Sequence, residues 1–301
     1  MKSIIFYNTL KSNRTDERFE AINQTFPNCD IMKRYNNTAI PDCDIAIIQG
    51  WVKNNIKGSH NLYRKKIIDN QFANKKHILT VDGNIFNYLV KGVYFRYSID
   101  GVFANTGYYF DNIIDPNRWD AIKNKINYDL KPWRKNGDHI VILMQKDSGW
   151  TIGENNNVEW CSSTIDEIRK YTDRKIVVRT HPSDVNVKEK YKILSRSKKV
   201  TISDTKDIRD DLKNAWCSIS YNSSPGAVSA IEGIPVFIMD KDYRKSHAHQ
   251  VGNIDISKIE TPLMPERREW IQRIAMSHFS IDDIKKGLLW NGVKEYFNEK
   301  N

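Results

Sequence analysis

Short, nearly continuous apolar runs separated by helix-patterned segments, in two successive series, leave few folds open to this chain. Ile4 to Tyr7, Asp44 to Gln49 and His77 to Val81 are strand-length and apolar on consecutive positions, as strands buried on both faces of a sheet require. Helical patterns over Thr15 to Gln24 and His60 to Gln71 supply the crossovers that parallel strands need. Val93 to Tyr109, rich in aromatics and glycine, fits neither period. At Lys131-Pro132-Trp133-Arg134-Lys135-Asn136-Gly137-Asp138, proline, glycine and charge cluster and interrupt the pattern. A second series follows, with strands predicted over Ile140 to Met144, Lys175 to Arg179, Val200 to Ser203, Cys217 to Tyr221 and Val236 to Met239. Helices are predicted near Ser163 to Tyr171, Asp207 to Ala215 and Gly226 to Glu232, and two amphipathic segments, Glu266 to His278 and Ile281 to Phe297, close the chain. The expectation is an α/β protein with a first lobe over 1–133, a second over 138–278 and a terminal helix over 279–301. Its ligands should lie in a crevice facing the carboxyl ends of the strands.

A length of 301 residues allows two domains, and 40% hydrophobic with 28% charged residues excludes disordered and fibrous classes. The longest apolar runs, Ile140 to Met144 and Ile234 to Met239, are too short to span a bilayer, and the chain enters a strand-like segment at Ile4, so neither a membrane span nor a signal peptide is expected. Cys29, Cys43, Cys161 and Cys217 lie at wide, irregular spacings without a CxxC pair, which argues against a disulfide framework or a zinc knuckle and for a cytoplasmic setting. The net charge of +10 suits an anionic partner, but it is spread, with 19 Lys and Arg against 13 Asp and Glu up to residue 133 and 28 against 24 beyond. Nucleic acid, a nucleotide phosphate and plain solubility all remain open on charge alone.

The strongest local signal is Tyr221-Asn222-Ser223-Ser224-Pro225-Gly226, between an apolar strand and a short helix that ends at Gly233-Ile234-Pro235. Ser224 suits the N-cap, Pro225 the first helical position and Gly233 the stop. Such a helix start presents free N–H groups and two hydroxyls, a receptor for phosphate, though an ordinary capped helix reads the same way. Arg179-Thr180-His181-Pro182 follows another strand, where an imidazole can donate to a leaving phosphate; a lone histidine there is also a common structural feature. Gln145-Lys146-Asp147-Ser148-Gly149-Trp150 adds an amide, a cation, a hydroxyl and a glycine backbone after the first strand of the second series.

In the first lobe, Asp82-Gly83 ends an apolar strand and Asp100-Gly101 follows Tyr94-Phe95-Arg96-Tyr97-Ser98-Ile99; either carboxylate can deprotonate a hydroxyl, and either can simply close a turn. Arg64-Lys65-Lys66, with Lys53 and Lys57, can meet phosphates or form the solvated face of a helix. Trp51, Trp133 and Trp150 can stack on a sugar or base or pack internally. His247 and His249 near Asp240, Asp242 and Tyr243 suit either metal ligation or an exposed loop, and no metal site is assigned. No Walker A, GxGxxG, HExxH or GxSxG sequence is present.

The order of these segments resembles the two-lobed nucleotide-sugar glycosyltransferases called GT-B, and among them the capsule-polysaccharide Kdo transferases and bacterial sialyltransferases. Those families carry a His-Pro motif and a Ser-rich turn directed at the donor phosphate, matched here by His181-Pro182 and Ser223-Ser224. The capsule family's Gln and Asp at the start of the second lobe match Gln145 and Asp147, and its acidic-Gly and Arg-x-Ser segments match Asp82-Gly83 and Arg96-Tyr97-Ser98. Where that family often has a Glu five residues before the closing Gly, this chain has Val228, and Glu232 directly precedes Gly233.

The resemblance implies an α/β fold of two Rossmann-like lobes with a cleft between them, and metal-independent, inverting transfer from a UDP- or CMP-linked sugar without a cofactor. Asp82 or Asp100 would be the base. His181, with Gln145, Asp147, Ser148, Gly149, Arg179, Ser223, Ser224 and Gly226, would hold the donor. Trp51, Lys53, Arg64, Arg96 and Ser98 would hold the acceptor. The basic charge and aromatic-rich first lobe favour a hydroxymethylated pyrimidine in DNA as acceptor, as in phage DNA glycosyltransferases acting in a host cytoplasm. The motif match itself points to a capsule or lipopolysaccharide glycan, and a non-catalytic phosphate-binding protein is the third alternative.

Overall fold

The computed structural model describes residues 3–9, 17–32, 40–52, 59–146, 156–184, 189, 191–194 and 199–299. The chain divides into two compact units, Met1–Ile122 with Ile271–Asn301, and Lys123–Trp270. The boundary thus precedes the Lys131 to Asp138 segment, and the chain returns to the first unit at Ile271, inside the stretch that sequence patterning assigns to the second.

The first unit contains β1 (Ile4–Tyr7), α1 (Glu17–Thr25), β2 (Cys29–Met32), β3 (Ile45–Gln49), α2 (Ser59–Ala73), β4 (His77–Asp82), β5 (Tyr94–Ile99) and most of α3 (Pro116–Ile126). Its sheet has the order β11-β5-β4-β3-β1-β2, in which β11 is His278–Ser280. Strands β2, β1, β3 and β4 run parallel, while β5 and β11 introduce antiparallel pairings. The apolar runs are continuous because both faces are covered. Ile4, Phe6, Ile45, Ile47 and Leu79 join one core with Phe19 and Ile22 of α1. The alternating residues Ile5, Tyr7, Ala46, Ile48 and Ile78 join another with Tyr63 and Ile67 of α2. Each such large side chain contributes about 1.5–3 kcal/mol of burial.

After α7 (Arg268–Met276) and β11, the predicted Ile281 to Phe297 segment forms two helices, α8 (Ile281–Lys285) and α9 (Leu288–Glu299), because Gly287 adopts φ +76° between them. Leu289, Val293, Tyr296 and Phe297 of α9 complete the first core.

A polar clasp fixes α9. The Asp100 carboxylate accepts from Tyr296 Oη at 2.8 Å and Ile78 N at 2.9 Å, and lies 2.7 Å from His77 Nδ1. Burial pushes the Asp100 carboxyl up, but these hydrogen bonds outweigh it and leave the pKa below the ordinary range. A depressed folded-state pKa stabilises the fold above the unfolded value near 3.9 and loses that contribution as pH falls through the folded value. Asp100→Asn should therefore flatten the acid limb of the stability curve below about pH 4. Thermal melts from pH 7 to 3 check this, and parallel curves for both proteins contradict it.

The second unit contains β6 (His139–Leu143), α4 (Asn157–Ile168), β7 (Lys175–Arg179), β8 (Val200–Ile202), α5 (Ile208–Leu212), β9 (Ala215–Ser220), α6 (Ser224–Ile231) and β10 (Val236–Ile238). All strand pairings are parallel in the order β10-β9-β6-β7-β8. Strand order reverses between β1 and β3 in the first sheet and between β6 and β9 in the second, the places where open α/β sheets hold ligands at their carboxyl edges. The linker packs on the end of α6: Lys131 N donates to Ile231 O at 3.0 Å and Arg134 N to Gly233 O at 2.7 Å. Among the described residues, no helix is long and apolar enough to cross a membrane.

Candidate functional site

The carboxyl edge of the second sheet gathers several polar side chains. Gln145 follows β6 and donates from Nε2 to Asn222 Oδ1 at 2.6 Å; Asn222 Nδ2 donates to Asp240 Oδ2 at 2.6 Å. Asn157 Nδ2 at the start of α4 donates to Gln145 O at 3.1 Å. All four residues are buried, so this chain fixes the ends of β6, β9 and β10 and the beginning of α4 relative to one another.

Ser223, not Ser224, is the N-cap of α6, and Pro225 takes the second helical position. The proline ring tolerates either early position because neither N–H has an intrahelical acceptor, which is why the sequence does not separate the two registers. Ser223 makes no capping hydrogen bond, and its Oγ is buried without a partner among the described residues. Ser220 Oγ is orphaned in the same way. A Cβ on Gly226 would lie 2.7 Å from that Ser220 oxygen, so the glycine serves the close approach of α6 to β9.

His181 lies beyond β7, half-buried in an open groove of about 610 Å³ that Ser203, Asp204 and Lys206 also line. Its Nδ1 accepts from Ser183 N at 3.1 Å, which places the proton of the neutral ring on Nε2. Burial and nearby Lys146 lower its pKa, against the opposing pull of Asp184. A neutral Nε2–H donor at the rim is what the arrangement offers.

Arg179 has a different role from the one its sequence position suggests. Its guanidinium pairs with Asp211 and donates to Thr205 Oγ1 at 2.8 Å and Lys206 O at 2.9 Å, while Ser203 Oγ donates to the same carboxylate at 2.7 Å. Arg179 thereby secures the 203–207 loop that walls the groove. Glu232 is likewise engaged, receiving Tyr128 Oη at 2.6 Å and pairing with Lys131. Trp133 stacks beneath Arg267, 3.8 Å from its guanidinium carbon, and donates from Nε1 to Pro265 O. Lys53, Lys57, Asp147, Ser148, Gly149 and Trp150 lie outside the described residues.

In the first unit, Asp82 ends β4 on the carboxyl edge, with Oδ2 2.8 Å from Arg96 Nη2 and Oδ1 accepting Gly83 N at 2.7 Å. The side chain is 38% exposed, and a Cβ on Gly83 would meet nothing within 4 Å, so open space adjoins the carboxylate. Asp100 does not share this edge. Because β5 is antiparallel to β4, pairing Arg96 with Asp82 and Ile99 with Leu79, residue 100 emerges beside His77 at the opposite end. Ser98 is buried within β5 and donates to Gly101 O, away from the rim. Trp51 packs beside Phe72, with ring centroids 6.1 Å apart.

Arg64 is buried rather than part of a solvated helix face: Nη2 donates to Thr9 O at 3.1 Å and Nη1 to Asn61 Oδ1 at 3.2 Å. Lys65 does face outward, pairing with Asp69. His249 Nδ1 donates to Ser246 O, and among the described residues no group of three or more His, Cys, Asp or Glu side chains is placed to hold a metal ion.

Sequence reasoning passed over Thr9 and Gln49, named Asn222 only as part of the turn before α6 and weighed Asp240 only beside a possible metal site. Gln49 ends β3, and Thr9, Asn222 and Asp240 lie two residues beyond β1, β9 and β10; that position at a parallel sheet's carboxyl edge was the available signal.

No protein-family model matches the chain, and no curated protein matches it in sequence. Solved structures do. The β-Kdo 2,7 transferase of KpsC from Thermosulfurimonas dismutans superposes with a TM-score of 0.55 at 14% identity, covering 95% of this chain and 98% of that one. The β-Kdo 2,4 transferase of the same KpsC gives a TM-score of 0.55 at 11% identity, with 95% and 97% covered. The chain therefore has a GT-B-like fold, an α/β architecture with two parallel-strand-based units.

Proposed function

We propose that the protein is a glycosyltransferase that takes a sugar from a nucleotide donor and passes it to a hydroxyl of a glycan. The observation that carries this reading is the start of α6, where the Ser223 cap hydroxyl is buried without a partner among the described residues, following Asn222 of the Gln145–Asn222–Asp240 chain. Leaving a polar atom so placed costs about 1–3 kcal/mol, which a phosphate oxygen accepting from it would recover. Helix-end N–H groups, the Ser223 hydroxyl and His181 Nε2–H would stabilise charge on the departing nucleotide phosphate.

In the transfer, Asp82 takes the acceptor hydroxyl proton as the acceptor oxygen bonds to the anomeric carbon and the bond from that carbon to the phosphate oxygen breaks. The nucleotide leaves with the bonding pair, and a single displacement inverts the anomeric centre. The likeness in fold to two Kdo transferases favours a glycan over DNA as acceptor, and the donor is a CMP- or UDP-linked sugar. Inward-directed Arg64 weakens the case for the basic helix as a duplex-DNA surface, because phosphate tracking uses exposed cations.

Mass spectrometry of reactions pairing CMP- and UDP-sugars with acidic glycans, neutral glycans and hydroxymethylated duplex DNA tests donor and acceptor together. A glycan mass increase with nucleotide release is expected. Modification of DNA alone would replace the glycan reading, and nucleotide binding without any transfer would leave a phosphate-binding protein.

A further inference from the structure

Unsatisfied donors lie along the carboxyl edge of the first sheet, from the switch point between β1 and β3 across β4 to Arg96 of β5. Arg64, Arg96 and Gln49 are 9%, 5% and 4% exposed, and each has a buried nitrogen without a hydrogen-bond partner among the described residues: Arg64 Nε, Arg96 Nη1 and Gln49 Nε2. Their remaining atoms are held firmly. Gln49 Oε1 accepts Thr9 N at 3.1 Å, Arg64 Nη2 reaches Thr9 O, and Arg96 Nη2 is fixed by Asp82. Gly50, at φ +73°, provides the bed for Arg64: a Cβ there would lie 3.6 Å from the guanidinium carbon.

The charge balance is also incomplete. Asp82 pairs with Arg96, whereas Arg64 forms no ion pair among the described residues and feels Asp82 only at longer range. A buried guanidinium left without a counter-ion opposes folding unless something else requires it. Planar guanidinium forks match a two-oxygen anion, and the carboxyl edge between β1 and β3 is where an open α/β sheet receives ligands.

We propose that Arg64, Arg96 and Gln49 form a receptor for a single oxyanion, a carboxylate or phosphate carried by the acceptor, close to Asp82. This deepens the reading of the first unit as the acceptor-binding one and rests on that reading for its biological role. The receptor would select acidic acceptors over neutral ones and orient the attacking hydroxyl toward the Asp82 carboxylate.

Titration calorimetry of the full chain carrying His181→Ala, with D-glucuronate and inorganic phosphate as separate probes, tests the receptor with the second unit's phosphate rim weakened. At least one probe should bind, and adding Arg64→Met should weaken it about tenfold or more, the scale of a lost charged hydrogen bond. Glucuronate binding marks a carboxylate source and phosphate binding a phosphate source. Gln49→Met should weaken the same probe and supplies the test if the Arg64 variant does not fold. Failure of both probes to bind, or affinity unchanged in the variants, overturns the receptor. Because this binding requires neither nucleotide nor turnover, its outcome is separate from that of the transferase assay.

Discussion

Asp82→Asn is expected to reduce sugar transfer by about 10²–10⁴-fold while leaving nucleotide affinity within twofold, because it removes the proposed proton acceptor from the first unit and leaves the second untouched. The asparagine substitution is the informative one. Its side-chain oxygen can still accept from Arg96, whereas alanine would strand a guanidinium that is only 6% exposed. Asp100→Asn serves as the control: at the opposite end of β4, beside His77 and Tyr296, it should alter acid stability but not turnover. Single-turnover rates with a labelled donor, alongside nucleotide titration, separate the two. Transfer that survives Asp82→Asn removes that carboxylate from the chemistry.

Gly233→Ala should destabilise the second unit by about 3 kcal/mol or more, lowering its melting temperature by roughly 6–12 °C. Gly233 has φ +76°, and an added Cβ would sit 2.1 Å from Pro132 O, a collision with main chain that the linker's hydrogen bonds to the α6 end prevent from relaxing freely. Gly287→Ala provides the comparison. It has the same φ of +76° but nothing within 4 Å of the new atom, so only the left-handed backbone cost of about 1–2 kcal/mol should appear. Differential scanning calorimetry of both variants isolates the steric contribution, and equal losses would show that conformation alone accounts for them.

The parallel strands other than β2 were legible because burial on both faces produces consecutive apolar residues, as in Ile4 to Tyr7 and Ile45 to Ile48, whereas β2 (Cys29–Met32), which carries Asp30 among only four residues, was not. Strand β5 was not, since it carries Arg96 and Ser98 at inward positions and its aromatics satisfy either period. Three-residue β11 is too short to show a period at all. The candidate site was legible where its residues lie just beyond a strand: Gln145, His181 and Ser223 come two or three residues after β6, β7 and β9, at the carboxyl edge of the second sheet.

Asp100 shows what linear proximity misses. It lies near Asp82 in sequence, but the antiparallel return of β5 carries it to the other end of the sheet. Arg64 shows another limit. In a run with Lys65 and Lys66 it reads as solvated, yet its helical neighbours Tyr63 and Ile67 are buried, and the side-chain-free Gly50 gives its guanidinium a place beneath the surface. No pattern within α2 reveals that space, because the residue that creates it belongs to the end of β3.

Glycosyl transfer by this protein requires the second unit's carboxyl edge to receive a nucleotide phosphate. Titration calorimetry of the unmodified protein and His181→Ala with CMP and UDP measures this directly. At least one nucleotide should bind to the unmodified protein, with affinity reduced about tenfold or more by His181→Ala as one donor to the phosphate is lost. Absence of binding to either nucleotide, or equal affinities in the two proteins, would contradict it.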